Sequence, residues 1–187
     1  MKGNKKLNKQ SPLRFAVFFI ALFLAFYYFN ILFFGITQPG NHYSAFLDGY
    51  LNYIKLLRYF LLNSSAQILN WIGFTAITND TELLLVGHGT LRLVYTCLGL
   101  GVMSFFAAFV IAYPGAWHSK LLFIITGFIV IQLLNITRFI LLALFWNKQA
   151  GQIIDHHLIF NIIIYIIVAV SLYFWVKHSD NKSNAAH

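Results

Sequence analysis

The sequence contains 187 residues, of which 59% are hydrophobic and only 10% are charged. Soluble globular domains carry about 25% charged residues, so this composition excludes a soluble protein and predicts an all-α bundle of transmembrane helices. The formal net charge of +8 does not indicate a nucleic-acid partner. Many of the basic residues lie at positions 1–14, where they are typical of a cytoplasmic tail beside anionic lipid.

The first apolar run covers residues 15–36 and follows the basic tail directly. Its length matches the roughly 20 helical residues that cross a hydrocarbon core. A cleaved signal peptide has a shorter apolar region and a cleavage site built from small residues. The pattern therefore predicts a retained span with the N-terminus in the cytoplasm, which ends before Pro39 and Gly40.

Two segments with mixed character come next. Residues 44–77 are rich in leucine, isoleucine and aromatic residues, but charged and amide side chains interrupt them. This mixture favours a helix in the outer interface, whereas a single crossing of the membrane would reverse the orientation of all later spans. Residues 81–96 contain Gly87-His88-Gly89 between two β-prone runs, which predicts a β-hairpin.

Three further apolar runs cover residues 97–113, 121–146 and 158–176. The chain is thus expected to cross the membrane about four to five times, with residues 15–177 as one membrane domain and residues 178–187 as a polar cytoplasmic tail. The positive-inside rule supports this orientation. Both ends of the chain are then expected in the cytoplasm.

The run at residues 97–113 is expected to form a helix from Cys97 onwards. Small side chains recur on one of its faces, as is common where helices approach closely in lipid: Cys97, Gly101, Ser104 and Ala108. Pro114 and Gly115 end this run, and Lys120 is expected in a short cytoplasmic loop.

Polar residues inside the membrane runs point to a catalytic site. Gln132, Asn135 and Arg138 recur every third residue and fall on one flank of a helix. A charge in a membrane span costs about 2.5–3.5 kcal/mol on insertion scales, which makes Arg138 a candidate functional residue. The expected topology brings Arg138 to the same depth in the membrane as Cys97 and His157. Cys97 begins one of the other apolar runs, and His157 directly precedes the last one.

These three side chains together favour acyl transfer through a thioester. A helix N-terminus and a guanidinium both favour the thiolate form of Cys97. The same helix dipole disfavours a charged imidazole, so His157 would stay neutral and accept a proton. Arg138 would stabilise the oxyanion of a tetrahedral intermediate.

Simpler interpretations compete for each residue. Cys97 alone is more often a small packing residue, and a competing role for Arg138 is a structural charge paired with Asp155 or with helix-end carbonyls. His156 is the reserve for His157, because adjacent residues on a helix point about 100° apart. A metal site built from His88, His156 and His157 is weak because their spacing is not that of metal ligands. No metal or other cofactor is therefore expected.

Three short motifs, in this order, resemble the exosortase/archaeosortase family of membrane cysteine peptidases. Cys97 begins Cys-Leu-Gly-Leu, Asn135 begins the Asn-Ile-Thr-Arg that ends at Arg138, and His157 precedes Asn161 by one helical turn. The resemblance implies that Cys97 is the nucleophile, His157 the acid and base, and Arg138 the group that stabilises the transition state. It leaves Asn135, His156 and Asn161 as supporting or reserve residues.

The resemblance also implies a location in the inner membrane of a bacterium, with the active site at the outer face. The implied partners are the lipid bilayer and exported proteins that end in a sorting signal. Such a signal consists of a short motif, a membrane helix and a basic tail. The implied reaction cleaves it and transfers the chain to a surface polysaccharide or lipid. Two other functions remain open from the residues themselves: a non-catalytic subunit of an export system, and a lipid-phosphate enzyme that uses Arg138 and His157 without the thiol.

Overall fold

The computed structural model describes residues 12–38, 43–145 and 156–185, and for residues 156–159, 180 and 182–185 it describes the backbone alone. The described chain forms six α-helices and one small antiparallel sheet. Helices dominate, which confirms the predicted all-α membrane bundle. The sheet is an addition to that bundle, and it lies between the third and fourth helices along the chain.

Three helices of the described chain are long and apolar enough to cross a membrane. They are α1 (Pro12–Thr37), α5 (Trp117–Phe145) and α6 (His156–Ala185). A fourth apolar helix, α4 (Leu100–Ala112), has 13 residues and extends only about 20 Å at 1.5 Å per residue. All four predicted apolar runs are thus helical, but α4 is shorter than a hydrocarbon core of about 30 Å.

The helix ends differ from the sequence-based boundaries in physically simple ways. Helix α1 is described from Pro12 onwards, and a proline suits the first turn of a helix because it lacks the N–H group that this turn leaves unpaired. Helix α6 continues to Ala185, so most of the predicted polar tail at residues 178–187 is helical.

Lys120 was predicted in a loop, and this prediction is wrong. It lies in the first turn of α5 with only 6% of its surface exposed. Its Nζ donates a hydrogen bond of 2.9 Å to the carbonyl of Ile111 in the last turn of α4 and lies 5.0 Å from the centre of the Trp117 ring. A lysine at this point satisfies a carbonyl that the end of α4 would otherwise leave unpaired.

Helix α4 packs against α1 through its small residues. A Cβ placed on Gly101 would lie 3.8 Å from the Tyr27 ring, and Asn30 of α1 donates a 3.0 Å hydrogen bond to Ser104 Oγ. Nearer the other end of this contact, the Phe19 ring meets that of Phe105 edge to face at 5.2 Å. The predicted small-residue face is therefore confirmed from Gly101 onwards.

Cys97 does not belong to that face, which corrects the sequence-based prediction. It lies in a 3₁₀ turn (Tyr95–Leu98), and α4 begins only at Leu100. Gly99 separates the two with φ 75°, a left-handed conformation that costs other residues about 1–2 kcal/mol. The turn therefore carries the thiol ahead of the helix rather than on it.

The segment predicted as one interfacial helix forms two helices and a strand. Helix α2 (Ala45–Tyr50) is followed by α3 (Tyr53–Trp71), whose first turn is capped by Asn52 through a 2.9 Å bond from the Lys55 N–H. Helix α3 is not among the described helices that could span a membrane. One of its faces is buried against α5 and the sheet, which its amphipathic sequence explains.

The sheet consists of β1 (Ala76–Thr78), β2 (Glu82–Leu85) and β3 (Gly89–Arg92), paired antiparallel in that order. The predicted hairpin is confirmed as β2 and β3. Gly87 turns the chain between them with φ 86°, and His88 is a turn residue whose ring meets that of Phe74. Strand β1 was not predicted.

Two hydrophobic cores meet along α5. The first lies between the C-terminal half of α5, α3, the sheet and the 3₁₀ turn, and it includes Leu69, Leu83, Leu98, Ile136 and Phe139. The second lies between α4, the N-terminal part of α5, and α6, and it includes Phe106, Val110, Ile131, Ile164 and Val168. The polar flank of α5 begins where the second core gives way to the first.

Candidate active site

The site begins with the contact between Cys97 and Arg138. Arg138 Nη2 lies 3.7 Å from Cys97 Sγ and donates to it. A guanidinium has five N–H donors and no acceptor, so the sulfur must accept this hydrogen bond. Hydrogen bonds from a charged donor are stronger than those between neutral groups, so this contact holds the sulfur beside the guanidinium. The geometry therefore suits a reactive cysteine.

Arg138 is deeply placed, with 6% of its surface exposed. Its Nη1 donates a 2.9 Å hydrogen bond to Asn161 Oδ1 on α6. The guanidinium thus joins the 3₁₀ turn, α5 and α6, and its planar fork is held at two points. Such a fixed donor can face developing negative charge without reorganising.

A pair of amides holds the turn that carries Cys97. Gln132 and Asn135 each donate from the side-chain nitrogen to the carbonyl of Leu98, at 3.3 and 3.5 Å. Asn135 also donates to Gln132 Oε1 at 3.4 Å. A Cβ on Gly99 would overlap the Asn135 amide, so this side chain fills the space that glycine leaves open. Asn135 therefore positions the turn rather than contacting another helix.

The predicted polar flank of α5 lies in the interior of the protein. Gln132, Asn135 and Arg138 are all buried, at three consecutive levels below the C-terminal end of the helix. The spacing of Gln132 predicted its place on this flank, but Gln132 was not among the predicted site residues. Its bond to Leu98, and a 2.9 Å contact with Met103 Sδ, make it part of the support for the thiol.

A cavity of about 200 Å³ opens beside the thiol. Cys97, Asn135 and Arg138 form its polar wall, while Phe139 and Leu142 of α5 form an apolar one. The remaining wall is strand β3, at residues 90–92. The position of the hairpin at this cavity was not predicted, because its residues include no recognisable catalytic motif.

A second and larger cavity, of about 700 Å³, lies between α1, α3, α4 and α5. Its lining is almost entirely apolar and includes Phe26, Met103 and Phe128. Polar groups occur at one place, where Tyr53 donates a 2.6 Å hydrogen bond to Asn30 Oδ1. Leu100, in the first turn of α4 after the Cys97 turn, also lines it, so one short segment contributes Cys97 to the first cavity and Leu100 to the second.

The predicted acid and base cannot be placed by contacts. His156 and His157 occupy the first turn of α6, but their side chains lie outside the described residues, as does Asp155 altogether. Asn161, one helical turn after His157, is described, and it contacts Arg138. Among the described residues, no group of three or more His, Cys, Asp or Glu side chains could hold a metal ion.

The thiol, the guanidinium and the amide groups thus lie together, although the elements that carry them are far apart along the chain. These elements carry the three motifs found in the sequence. The family model described as transmembrane exosortase (Exosortase_EpsH) matches residues 11–175. The match includes α1 to α5, the sheet and most of α6. No curated protein and no solved structure matches the chain.

Proposed function

Since the chain belongs to the transmembrane exosortase family, we propose that it is a membrane-embedded cysteine peptidase and transpeptidase. Its substrates are exported proteins that end in a sorting signal with a membrane helix and a basic tail. The observation that carries the proposal is the 3.7 Å contact between Cys97 Sγ and the buried Arg138, through its Nη2.

In the first step, the Cys97 thiolate attacks the carbonyl carbon of the scissile peptide bond. Negative charge then moves to the carbonyl oxygen, and the guanidinium of Arg138 stabilises it. Donors of this kind, fixed in a site that excludes water, typically contribute about a hundredfold or more to the rate. The hydrogen bond that Arg138 donates to Asn161 and the burial of Arg138 support this role because they keep the fork in place.

The leaving amine needs a proton, and we assign this task to His157. The support is its spacing: His157 precedes Asn161 by four residues, positions that share one face of a helix, and Asn161 contacts Arg138. His156 is the reserve. Neutral His157 takes the proton of the Cys97 thiol as the thiolate forms, and the resulting imidazolium gives this proton to the amine as the peptide bond breaks. A thioester with Cys97 remains.

In the second step, a hydroxyl or amine of a surface polysaccharide or lipid attacks the thioester carbonyl. His157, now neutral, takes the proton from this nucleophile, and the thiolate leaves. The new ester or amide links the exported protein to its acceptor, and Cys97 returns to its starting form. Water as the nucleophile would give hydrolysis through the same intermediate.

The larger cavity suits the apolar part of the substrate. An exported protein that still carries its membrane helix must approach through the lipid, not through water. The cavity of about 700 Å³ is almost entirely apolar, and its lining includes Leu100, three residues after Cys97 in the chain. We propose that the substrate helix enters laterally here.

The proposed setting is a bacterial inner membrane, with the N-terminus in the cytoplasm and the site at the outer face. The basic residues of the N-terminal tail support this orientation. The sheet and the C-terminal end of α5, which surround the thiol, would then lie on the outer side, where exported proteins pass.

A processing assay tests the proposal. The chain is co-expressed with an exported reporter whose C-terminus carries an apolar helix and a basic tail, taken from the same genome. Intact mass spectrometry then shows whether the helix has been removed. We expect removal with the unchanged chain, and a loss of at least about a thousandfold in Cys97→Ser, because the hydroxyl is a far weaker nucleophile.

Thr96→Ser is the matched control, since Thr96 is the exposed neighbour of Cys97 in the same turn. Processing that continues at the normal rate in Cys97→Ser would contradict the proposal and favour a non-catalytic subunit. Phosphate release that tolerates Cys97→Ala but is lost in Arg138→Ala would favour the lipid-phosphate enzyme.

A further inference from the structure

Strand β3 is an edge strand, because the sheet has the order β1-β2-β3. Leu93 N–H donates to the carbonyl of Thr81 at 2.8 Å, so these two residues form a hydrogen-bonded pair. Such pairs alternate along an antiparallel ladder. With Leu91 opposite Leu83 and Arg92 opposite Glu82, Leu91 bonds to β2, while Thr90 and Arg92 direct their backbone groups away from it.

The outward edge of β3 is therefore available for pairing. Within the described residues, neither Thr90 nor Arg92 makes a backbone hydrogen bond outside the β2–β3 ladder. Both side chains are exposed. A free strand edge is a template on which another extended chain forms main-chain hydrogen bonds.

This edge belongs to the wall of the cavity that contains the thiol. Thr90, Leu91 and Arg92 line it together with Cys97 and Arg138. The chain runs directly from β3 into the 3₁₀ turn, so the distance from the edge to the sulfur is set by a short segment. A peptide paired with β3 would enter this cavity, and the cavity of about 200 Å³ has room for only a few small side chains.

We propose that β3 binds the substrate around its scissile bond as an added β-strand, through the backbone groups of Thr90 and Arg92. This inference rests on the proposed function, because it specifies how that same site holds its substrate. The ligand it predicts is an extended main chain. Affinity would come from main-chain hydrogen bonds, and side chains would be selected at alternate positions.

The test uses a peptide reagent that reacts with Cys97, on the full chain in lipid nanodiscs. The probe is acetyl-tetra-alanyl chloromethyl ketone, whose methylene carbon the thiolate attacks to form a thioether as chloride leaves. Four further probes each carry one N-methyl group on a different alanine. Cys97 is the only cysteine of the sequence, so labelling is followed by intact mass.

Pairing with one edge predicts an alternating result. Only every second amide of an extended peptide faces β3, so methylation should slow labelling about fivefold or more at two alternate alanines. It should change the rate less than about twofold at the other two. Equal effects at all four positions, or none, would overturn the proposal.

A pair of variants locates the edge. Arg92→Pro removes an N–H group that β2 does not use, and an edge strand tolerates proline at such a position. The unmethylated peptide should label the unchanged chain about fivefold faster than the peptides methylated at the sensitive positions. We expect Arg92→Pro to remove most of this difference in rate, whereas Arg92→Ala should retain it. If Arg92→Pro does not fold, the N-methyl series on the unchanged chain still decides the question.

The small reagent iodoacetamide separates this proposal from the function on which it rests. Its rate should be the same in Arg92→Pro and Arg92→Ala, because it needs no strand. If labelling by iodoacetamide depends on Arg138 but the peptide series does not alternate, only the strand proposal fails. If Cys97→Ser still processes reporters, the proposed function fails. A dimer that becomes a monomer in Arg92→Pro would show that the edge pairs two copies, and would also overturn the strand proposal.

Discussion

The two halves of α5 face different surroundings. In the N-terminal half, the Phe106 ring of α4 packs so closely on Gly127 that a Cβ there would overlap it, and Phe123 stacks on Trp175 at 5.0 Å. In the C-terminal half, Gln132, Asn135 and Arg138 face a turn of backbone and a thiol. Helix α5 therefore has a tightly packed apolar half and a polar half that forms the site. The tight packing fixes the position of the site along the helix axis.

Each half of α5 also packs at a glycine, one within α5 and one before α4, and in both cases a neighbouring side chain fills the space that the glycine leaves open. At Gly127 the neighbour is an aromatic ring, and at Gly99 it is the Asn135 amide. The same substitution at both positions should therefore separate a structural contact from a functional one.

Gly99→Ala should have the largest effect of these on function. The φ of 75° is unfavourable for alanine, and the new methyl group would push the Asn135 amide from the Leu98 carbonyl. Moving a nucleophile by about 1 Å can cost about a hundredfold in rate, and we expect a loss of that order in the reporter assay. Normal processing by Gly99→Ala would show that the amide does not position Cys97.

Gly127→Ala should instead act on stability. Overpacking a core typically costs about 1–3 kcal/mol, measured here as the free energy of unfolding in detergent and denaturant. The folded fraction should process reporters normally, and Phe106→Leu in the same chain should restore part of the stability. A specific loss of processing without a loss of stability would break the distinction between the two halves.

Lys120→Met should have the smallest effect. The variant keeps the length of the side chain but removes its bond to the Ile111 carbonyl and the contact with the Trp117 ring. An unpaired carbonyl typically costs about 1–3 kcal/mol, and at a helix end part of this cost is relieved by water. We expect the free energy of unfolding to decrease by an amount near the lower limit of this range, with processing unchanged. Lys177→Met is the control for the loss of a charge.

Much of this architecture is visible in the sequence, because the dominant signal is the length of its continuous apolar runs. The four apolar runs became helices, and Gly87-His88-Gly89 became the turn of a hairpin. The three-residue spacing of Gln132, Asn135 and Arg138 correctly placed them on one buried flank.

The remaining features depend on contacts between distant segments. The run after Cys97 is uniformly apolar, so nothing local shows that Gly99 takes a left-handed conformation and delays the helix to Leu100. Lys120 resembled a loop residue because its partner, the end of α4, becomes apparent only after the two helices pack. For the same reason, the spacing of Asn135 gave its face but not its partner, the Leu98 carbonyl.

The site shows the same limit. Motif order suggested which side chains belong together, and the structure places Cys97, Arg138 and Asn161 in contact. The contribution of β3 to the cavity could not be predicted, because it depends on how the sheet packs on α5. The parts of the site that were missed are thus mainly backbone, which carries no motif.

The most direct test of the central claim is the rate at which iodoacetamide alkylates Cys97 at pH 7, in the unchanged chain and in Arg138→Gln. Thr137→Ala is the control, because Thr137 is the exposed neighbour of Arg138 on α5. If Arg138 activates the thiol, alkylation should be at least about tenfold slower in Arg138→Gln than in the unchanged chain. Thr137→Ala should be alkylated at the rate of the unchanged chain. Equal rates in all three proteins would mean that Arg138 does not activate the thiol, and would contradict the proposed peptidase site.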